Sequence, residues 1–181
     1  MTIPNALSTF RCLAVLVIAV LLATGDARGW TLGLFVAAAV TDWLDGWIAR
    51  KFDIMSDLGR VLDIIADKLL VGVVLLMLAA DGTIPGVHAV AAALILAREI
   101  GISGLREHLA TKDVTIPASL AGKWKTTVQL VSLAVLLAAP ILPWPGTAAA
   151  AGLALLWLAA VLTIWSGWQY VWGSRGAWGN G

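Results

Sequence analysis

Cysteine and charged residues are scarce in this chain of 181 residues. The single cysteine, Cys12, excludes an internal disulfide bond. Lysine, arginine, aspartate and glutamate make up only 13% of the residues, whereas apolar residues make up 60%, against about 45–50% in soluble domains. A soluble protein this small could not bury that much apolar surface. The composition therefore predicts that lipid surrounds most of the chain.

Six apolar runs follow one another along the chain, and each has the roughly 20 residues that a helix needs to cross a bilayer. We expect helices at about 5–25, 30–50, 59–80, 85–109, 121–139 and 147–172. Turn-forming residues separate some of them, at Thr24–Asp26, at Asp81–Gly82 and from Pro140 to Gly146. Because a backbone in lipid must satisfy its own hydrogen bonds, the spanning elements should be helices. The sequence predicts an all-α integral membrane bundle of six transmembrane helices, in a single domain over residues 1–181.

Basic residues are distributed unevenly between the two ends of these helices. Arg28 is the only one that lies clearly on the side opposite the N-terminus. Those on or toward the N-terminal side are Arg11, Arg50, Lys51, Arg60, Arg98, Arg106, Lys112, Lys123, Lys125 and Arg175. Basic residues favour the cytoplasmic side of a membrane, so we expect both termini to be cytoplasmic, in the inner (cytoplasmic) membrane of a cell.

Four aspartates stand out in the second and third predicted helices. Asp42 and Asp45 share one helix face with Gly46 and Ala49, at spacings i, i+3, i+4 and i+7. The third helix presents Gly59, Asp63 and Asp67 on one face, at i, i+4 and i+8. Small residues let helix backbones approach closely. We therefore expect two carboxylates from each helix to meet in one cleft near the cytoplasmic surface.

Clustered carboxylates in a membrane take up protons or recruit cations. Oxygen ligands favour Mg²⁺, Mn²⁺ or Ca²⁺ over zinc, and the sequence has no cluster of histidine and cysteine. A metal on a pyrophosphate neutralises the leaving phosphate, and a carboxylate left free of tight metal binding can act as a general base. The alternative is that the acids pair with Arg50, Arg60 and Lys68 for structural reasons.

The spacing of these residues resembles a known signature. Asp42-x2-Asp45-Gly46-x2-Ala49-Arg50-x8-Gly59-x3-Asp63-x3-Asp67 is similar to that of the CDP-alcohol phosphatidyltransferase family, with no departure at a defining position. The stretch from Asn5 to Arg11 resembles the family's N-terminal element, with Ser8 in place of the usual threonine. The resemblance implies an enzyme that transfers a phosphatidyl group from CDP-diacylglycerol to an alcohol. It also implies a homodimer and an active site open to the cytoplasmic interface.

The resemblance further implies a role for each site residue. Asp42, Asp45 and Asp63 would bind the metal, Mg²⁺ or Mn²⁺, that holds the CDP pyrophosphate. Asp67 would be the catalytic general base, close to a second metal. The residues implied on the CDP-diacylglycerol side of the pocket are Asn5, Gly46, Ala49, Arg50, Ser56 and Gly59.

A basic cluster in helices 4 and 5 indicates an acceptor that carries a phosphate. Arg98 and Arg106 lie eight residues apart, about 12 Å along one helix face, and Lys123 and Lys125 open helix 5. Arginine forks bind phosphate well. The alternative explanation is the cytoplasmic bias of basic residues together with anionic lipid headgroups. Glu99 and Glu107 are expected to pair with these bases structurally.

Three further stretches narrow the acceptor. Ala97 to Glu107, Gly122 to Thr127 and Leu162 to Tyr170 resemble members of the family that use sn-glycerol 3-phosphate. The implied products are phosphatidylglycerol phosphate and CMP. The same chemistry on inositol phosphate, serine or phosphatidylglycerol is the nearest alternative, and a cation transporter is an alternative of another class. We expect no nucleic-acid partner and assign no role to His88 or His108.

Overall fold

The computed structural model describes residues 3–25, 27–52, 57–112, 114 and 120–175. Every regular element in these ranges is helical: α1 Ile3–Thr24, α2 Arg28–Phe52, α3 Asp57–Ala80, α4 His88–Ala110, α5 Leu120–Ala138 and α6 Pro145–Gly173, with a short 3-10 helix at Ala139–Ile141. The prediction of an all-α fold is confirmed. All six predicted helices are present, and their ends lie within three residues of the expected positions.

Glycines in the left-handed region of backbone conformation mark the turns at one end of the bundle. Gly25 follows α1 with φ +79°, and Gly82 follows α3 with φ +81°. A glycine in this conformation ends a helix at little steric cost. Gly86, with φ +51°, explains why α4 begins at His88, three residues later than expected, since a left-handed residue cannot belong to a right-handed helix.

Two groups of helices build the bundle. α1 packs against α2 and α3, α6 packs against α5 and α4, and α2 joins the groups by contacting α5. The buried core contains large apolar side chains from each helix, among them Ile18, Phe35, Leu75, Ile95, Leu133 and Leu156. α5 and α6 approach closely at Gly152, where a Cβ atom would lie 2.7 Å from Cδ2 of Leu136. The hydroxyl of Ser132 donates a hydrogen bond to the carbonyl oxygen of Gly152 at 2.8 Å.

Within the described residues, four segments are long and apolar enough to cross a membrane: Ala6–Thr24, His88–Ala110, Leu120–Ile141 and Pro145–Gly173. α2 and α3, with 25 and 24 residues, have sufficient length, but each contains several charged residues. The protein is therefore a membrane protein. The prediction of six spans is confirmed for four helices within the described part of the chain, and for α2 and α3 it stays a prediction.

Far from the four predicted aspartates, an ion pair joins Arg28, the first residue of α2, to Asp81, which directly follows α3. A guanidinium nitrogen of Arg28 donates to Oδ2 of Asp81 at 2.6 Å. Arg28 and Asp42 are 14 residues apart on α2, about 21 Å along the axis. Asp42 therefore lies well away from this end of the bundle.

Candidate active site

Arg11 connects two of the predicted acids. Its side chain is 0% exposed, donates a hydrogen bond to Oδ1 of Asp42 and donates another to Oδ1 of Asp63 at 2.6 Å. Arg11 belongs to α1, whereas the two acids belong to α2 and α3. A buried charge is tolerated when it is paired and hydrogen-bonded. One guanidinium therefore holds three helices together where Asp42 and Asp63 converge.

Asp67 lies one turn beyond Asp63 on α3 and faces different neighbours. It lines a cavity of about 20 Å³ together with Lys68, Val71, Glu99, Lys125, Thr126 and Gln129. That volume is about what one water molecule or hydroxyl group requires. The three predicted site aspartates whose side chains are described thus have two different environments. Asp42 and Asp63 share Arg11, while Asp67 lies beside a lysine of α5.

The donor chemistry around Arg11 fits a divalent cation. Carboxylate oxygens from α2 and α3 already converge on one positive group, and oxygen donors are those that Mg²⁺ and Mn²⁺ prefer. Among the described residues, no three histidine, cysteine, aspartate or glutamate side chains form a ready metal cluster. The side chain of Asp45 lies outside the described residues. The predicted ligand set therefore stays a prediction.

Glu99 lies between two of the predicted acceptor bases. Its Oε1 contacts Nζ of Lys125 and lies 3.6 Å from a guanidinium nitrogen of Arg98. Lys125 is only 7% exposed, so its ammonium group depends on polar partners within the protein. The expected pairing of Glu99 with these bases is confirmed. A carboxylate oxygen occupies the position between them.

The two arginines of α4 face α6. Arg98 donates a hydrogen bond to the hydroxyl oxygen of Ser166 at 2.9 Å, and the guanidinium carbon of Arg106 lies 5.6 Å from the centre of the Tyr170 ring. Gly167 leaves space for Arg98, since a Cβ atom at that glycine would lie 3.1 Å from Cγ of the arginine. The eight-residue spacing thus places both arginines on one helix face, as expected.

The side chains of most remaining predicted site residues lie outside the described part of the chain. Gly59 is buried on α3, one turn before Asp63. Ser56 lies outside the described residues. The other predicted residues whose side chains lie outside the described part are Asn5, Asp45, Gly46, Ala49, Arg50 and Lys123.

Several residues near the site have no predicted site role, among them Arg11, Lys68 and Gln129. An arginine within an apolar run indicates an internal acidic partner, so the position of Arg11 carried a usable signal. Gln129 gave none, because a single polar residue in an apolar helix does not reveal which neighbour it faces. His88, to which no role was assigned, accepts a hydrogen bond from the indole of Trp157 at 3.0 Å and so links α4 to α6.

Comparisons with known proteins show similarity over most of the chain. The family described as CDP-alcohol phosphatidyltransferase matches residues 1–165. The chain is 40% identical over 174 residues to a CDP-diacylglycerol–glycerol-3-phosphate 3-phosphatidyltransferase of Rickettsia typhi, covering 93% of this chain and 94% of that protein. A protein of the same name from Salmonella choleraesuis is 39% identical over 183 residues, covering 96% and 95%.

A relative with another named activity also matches. A cardiolipin synthase (CMP-forming) of Oryza sativa subsp. japonica is 39% identical over 183 residues, which cover 92% of this chain and 55% of that protein. Because the family match spans most of the chain and these relatives are well above 30% identical over nearly all of it, the relationship does not depend on one motif. This chain belongs to the CDP-alcohol phosphatidyltransferase family.

Proposed function

We propose that this protein transfers the phosphatidyl group of CDP-diacylglycerol to sn-glycerol 3-phosphate, forming phosphatidylglycerol phosphate and CMP. The names of the bacterial relatives that match over nearly their whole length support this activity. The structural observation that carries the proposal is the cavity that Asp67 and Lys125 line together. It pairs the acid expected to act as a base with a cation suited to a phosphate-bearing acceptor.

In the proposed reaction, a carboxylate oxygen of Asp67 takes the proton from the hydroxyl on carbon 1 of glycerol 3-phosphate. The hydroxyl oxygen forms a bond to the phosphorus that carries diacylglycerol. The bond from that phosphorus to the oxygen of the CMP phosphate breaks, and CMP leaves with the electron pair. The cavity is small and partly enclosed, which limits water at the reacting groups and favours transfer to the alcohol over hydrolysis.

Asp42, Asp45 and Asp63 are proposed to hold a divalent metal ion, Mg²⁺ or Mn²⁺, with Asp67 close to a second metal ion. When bound, the ion supplies positive charge to the pyrophosphate of the substrate. The convergence of Asp42 and Asp63 on one guanidinium supports this assignment, because their oxygens already share one positive partner. Arg11 stabilises the two carboxylates in the protein itself.

CDP-diacylglycerol is proposed to bind on the side of the acids nearest the loop between α2 and α3. The residues assigned to it are Asn5, Gly46, Ala49, Arg50, Ser56 and Gly59. The burial of Gly59 against its neighbours supports a close approach of helices at this point. The acyl chains would remain in lipid.

The phosphate of the acceptor is proposed to bind the cationic cluster of Arg98, Arg106, Lys123 and Lys125. The carboxylate oxygen of Glu99, which contacts Lys125 and lies 3.6 Å from Arg98, supports an anion-binding position between these two bases. An ammonium group has three N–H donors. Lys125 therefore retains donors for a phosphate oxygen while it contacts Glu99.

We further propose that the protein is a homodimer in the inner (cytoplasmic) membrane, with both termini and the active site on the cytoplasmic side. The distribution of basic residues supports this sidedness. A charged, water-soluble acceptor would then reach the site from the cytoplasm.

The direct test supplies purified protein with CDP-diacylglycerol and Mg²⁺, and measures CMP release with one acceptor at a time. We expect release with sn-glycerol 3-phosphate and little with inositol phosphate or serine. Release with inositol phosphate but not glycerol phosphate would contradict the acceptor assignment. Isotope-labelled cation flux without CMP release would favour a transporter.

Asp67→Asn tests the assignment of the base in the same assay. The amide keeps the shape of the side chain but cannot accept the proton, so we expect turnover to fall at least about a thousandfold while the affinity for CDP-diacylglycerol stays within about threefold. Asp81→Asn makes the same change just beyond the far end of α3 and should leave turnover near normal. Near-normal turnover in Asp67→Asn would contradict the assignment.

The second candidate function is transfer to phosphatidylglycerol, which would form cardiolipin. The match to the rice cardiolipin synthase is the observation that favours this second reaction. Phosphatidylglycerol in place of glycerol phosphate in the CMP-release assay distinguishes the two reactions, because each releases CMP with its own acceptor alone.

A further inference from the structure

Gln129 is a buried polar side chain that the proposed reaction does not use. It is 2% exposed, and its side-chain oxygen has no hydrogen-bond partner among the described residues. Buried amide oxygens in folded proteins nearly always have a partner. An oxygen without one, at a cavity beside a reactive group, is suited to a ligand that supplies the missing donor.

The position of Gln129 relative to the proposed site is specific. It follows Lys125 by one helical turn on α5, so the two side chains lie on the same face. Both line the small cavity that also contains Asp67. The cavity is partly open, and its enclosed part has room for about one hydroxyl group of a larger molecule. A group that enters it is therefore close to the proposed base, the proposed phosphate-binding lysine and the unpartnered amide.

We propose that Gln129 determines acceptor specificity by hydrogen bonding to the secondary hydroxyl, on carbon 2, of glycerol 3-phosphate; this proposal rests on the proposed function. The acceptor has its attacking hydroxyl at one end and its phosphate at the other, and the secondary hydroxyl lies between them. Asp67 and Lys125 are assigned to the two ends. Gln129 lines the same cavity as these two residues, so we assign it to the middle of the acceptor.

The chemistry of the two groups is complementary. A hydroxyl group donates one hydrogen bond and accepts others, while a carboxamide offers an oxygen that accepts and an NH₂ group that donates. Either orientation of the amide therefore satisfies the hydroxyl. An acceptor without the hydroxyl would leave the buried amide oxygen unpaired, and sites of this kind reject such analogues strongly.

The test compares sn-glycerol 3-phosphate with 3-hydroxypropyl phosphate, which lacks only the secondary hydroxyl. CMP release by the wild-type protein should show kcat/KM at least about thirtyfold lower for the analogue. Gln129→Met keeps the length of the side chain and removes its hydrogen-bonding groups. In this variant we expect the ratio between the two acceptors to fall to about threefold or less, mainly through slower reaction of glycerol phosphate.

Gln169→Leu is the matched control, because Gln169 is exposed on α6, and it should keep the wild-type ratio. Gln129→Leu provides a second variant if the methionine variant does not fold. Should neither yield folded protein, the wild-type ratio decides, and equal use of both acceptors would overturn the proposal.

The outcomes separate this proposal from the proposed function. If the wild-type protein uses glycerol phosphate and both Gln129 variants slow the two acceptors equally, the role of Gln129 is structural and the proposal is wrong, while the proposed function stands. If the wild-type protein releases no CMP with glycerol phosphate, both are wrong. Collapse of the ratio in the Gln129 variants alone supports the proposal.

Discussion

Arg11 is the residue whose charge the acids of the site depend on. Its guanidinium is fully buried and binds carboxylates from two other helices. The planar fork of arginine reaches two carboxylates at once, whereas a lysine ammonium is a single point of charge. Removing the cation would leave two acids facing each other without their shared partner, and like charges at short range repel.

Arg11→Met should therefore destabilise the protein by about 3 kcal/mol, and Arg11→Lys by less. Arg28→Met removes the arginine of the ion pair near the other end of α2 and serves as the matched control, with an expected loss of about 1 kcal/mol or less. Thermal unfolding of the purified variants in detergent gives the comparison. Equal midpoints for Arg11→Met and Arg28→Met would contradict the structural role of Arg11.

The sequence was most informative where charge conflicts with the apolar surroundings. Asp42 and Asp63 each lie at helical spacing from another acid on the same helix, which made both visible in the sequence. The structure brings Asp42 and Asp63 together at Arg11. Their common partner Arg11 comes from a helix distant in sequence, so spacing alone could not identify it. Gln129 was not predictable either, because its neighbours Asp67 and Glu99 come from two other helices.

At the scale of helices, a close approach of α5 and α6 depends on a glycine. A Cβ atom at Gly152 would lie 2.7 Å from Cδ2 of Leu136 and 3.3 Å from its backbone nitrogen. If a side chain fills that space, the two helices must move apart, because a backbone atom cannot shift without the rest of its helix. Small residues serve this purpose where helices cross in membranes.

Gly152→Ala is expected to destabilise the protein by about 1–3 kcal/mol. Gly33→Ala is the matched control, because Gly33 lies within α2 and a Cβ atom there meets nothing within 4 Å. The control should be neutral or slightly stabilising, as alanine is the better helix former. Thermal unfolding in detergent measures both, and a stable Gly152→Ala variant would mean that α5 and α6 are not held this tightly.

Helix lengths and most boundaries followed from apolar runs, because a bilayer requires a nearly fixed length. The start of α4 did not. Pro85 and Gly86 continue an apolar run in sequence, yet the left-handed conformation of Gly86 delays the helix to His88. Hydropathy does not record backbone conformation, so this boundary required the structure.

At the scale of the whole molecule, the proposed sidedness makes a simple labelling prediction. In a Cys12→Ala background, Val87→Cys should react with a membrane-impermeant maleimide in right-side-out vesicles, since Val87 is exposed before α4. Lys112→Cys, exposed after α4, should react only after the vesicles are permeabilised. The reverse pattern would place the acids on the outer side and contradict the proposed access of the acceptor from the cytoplasm.

The contact between Arg98 and Gly167 has a consequence for attempts to change the acceptor. The arginine fills the space that a larger residue on α6 would need, with only 3.1 Å between its Cγ atom and a Cβ atom at Gly167. The two positions form one steric unit although they are 69 residues apart in sequence. In a mutant library that enlarges residue 167 and keeps Arg98, most variants would bring the new side chain too close to the arginine. Varying both codons together would let a shorter side chain on α4 be matched by a larger one on α6.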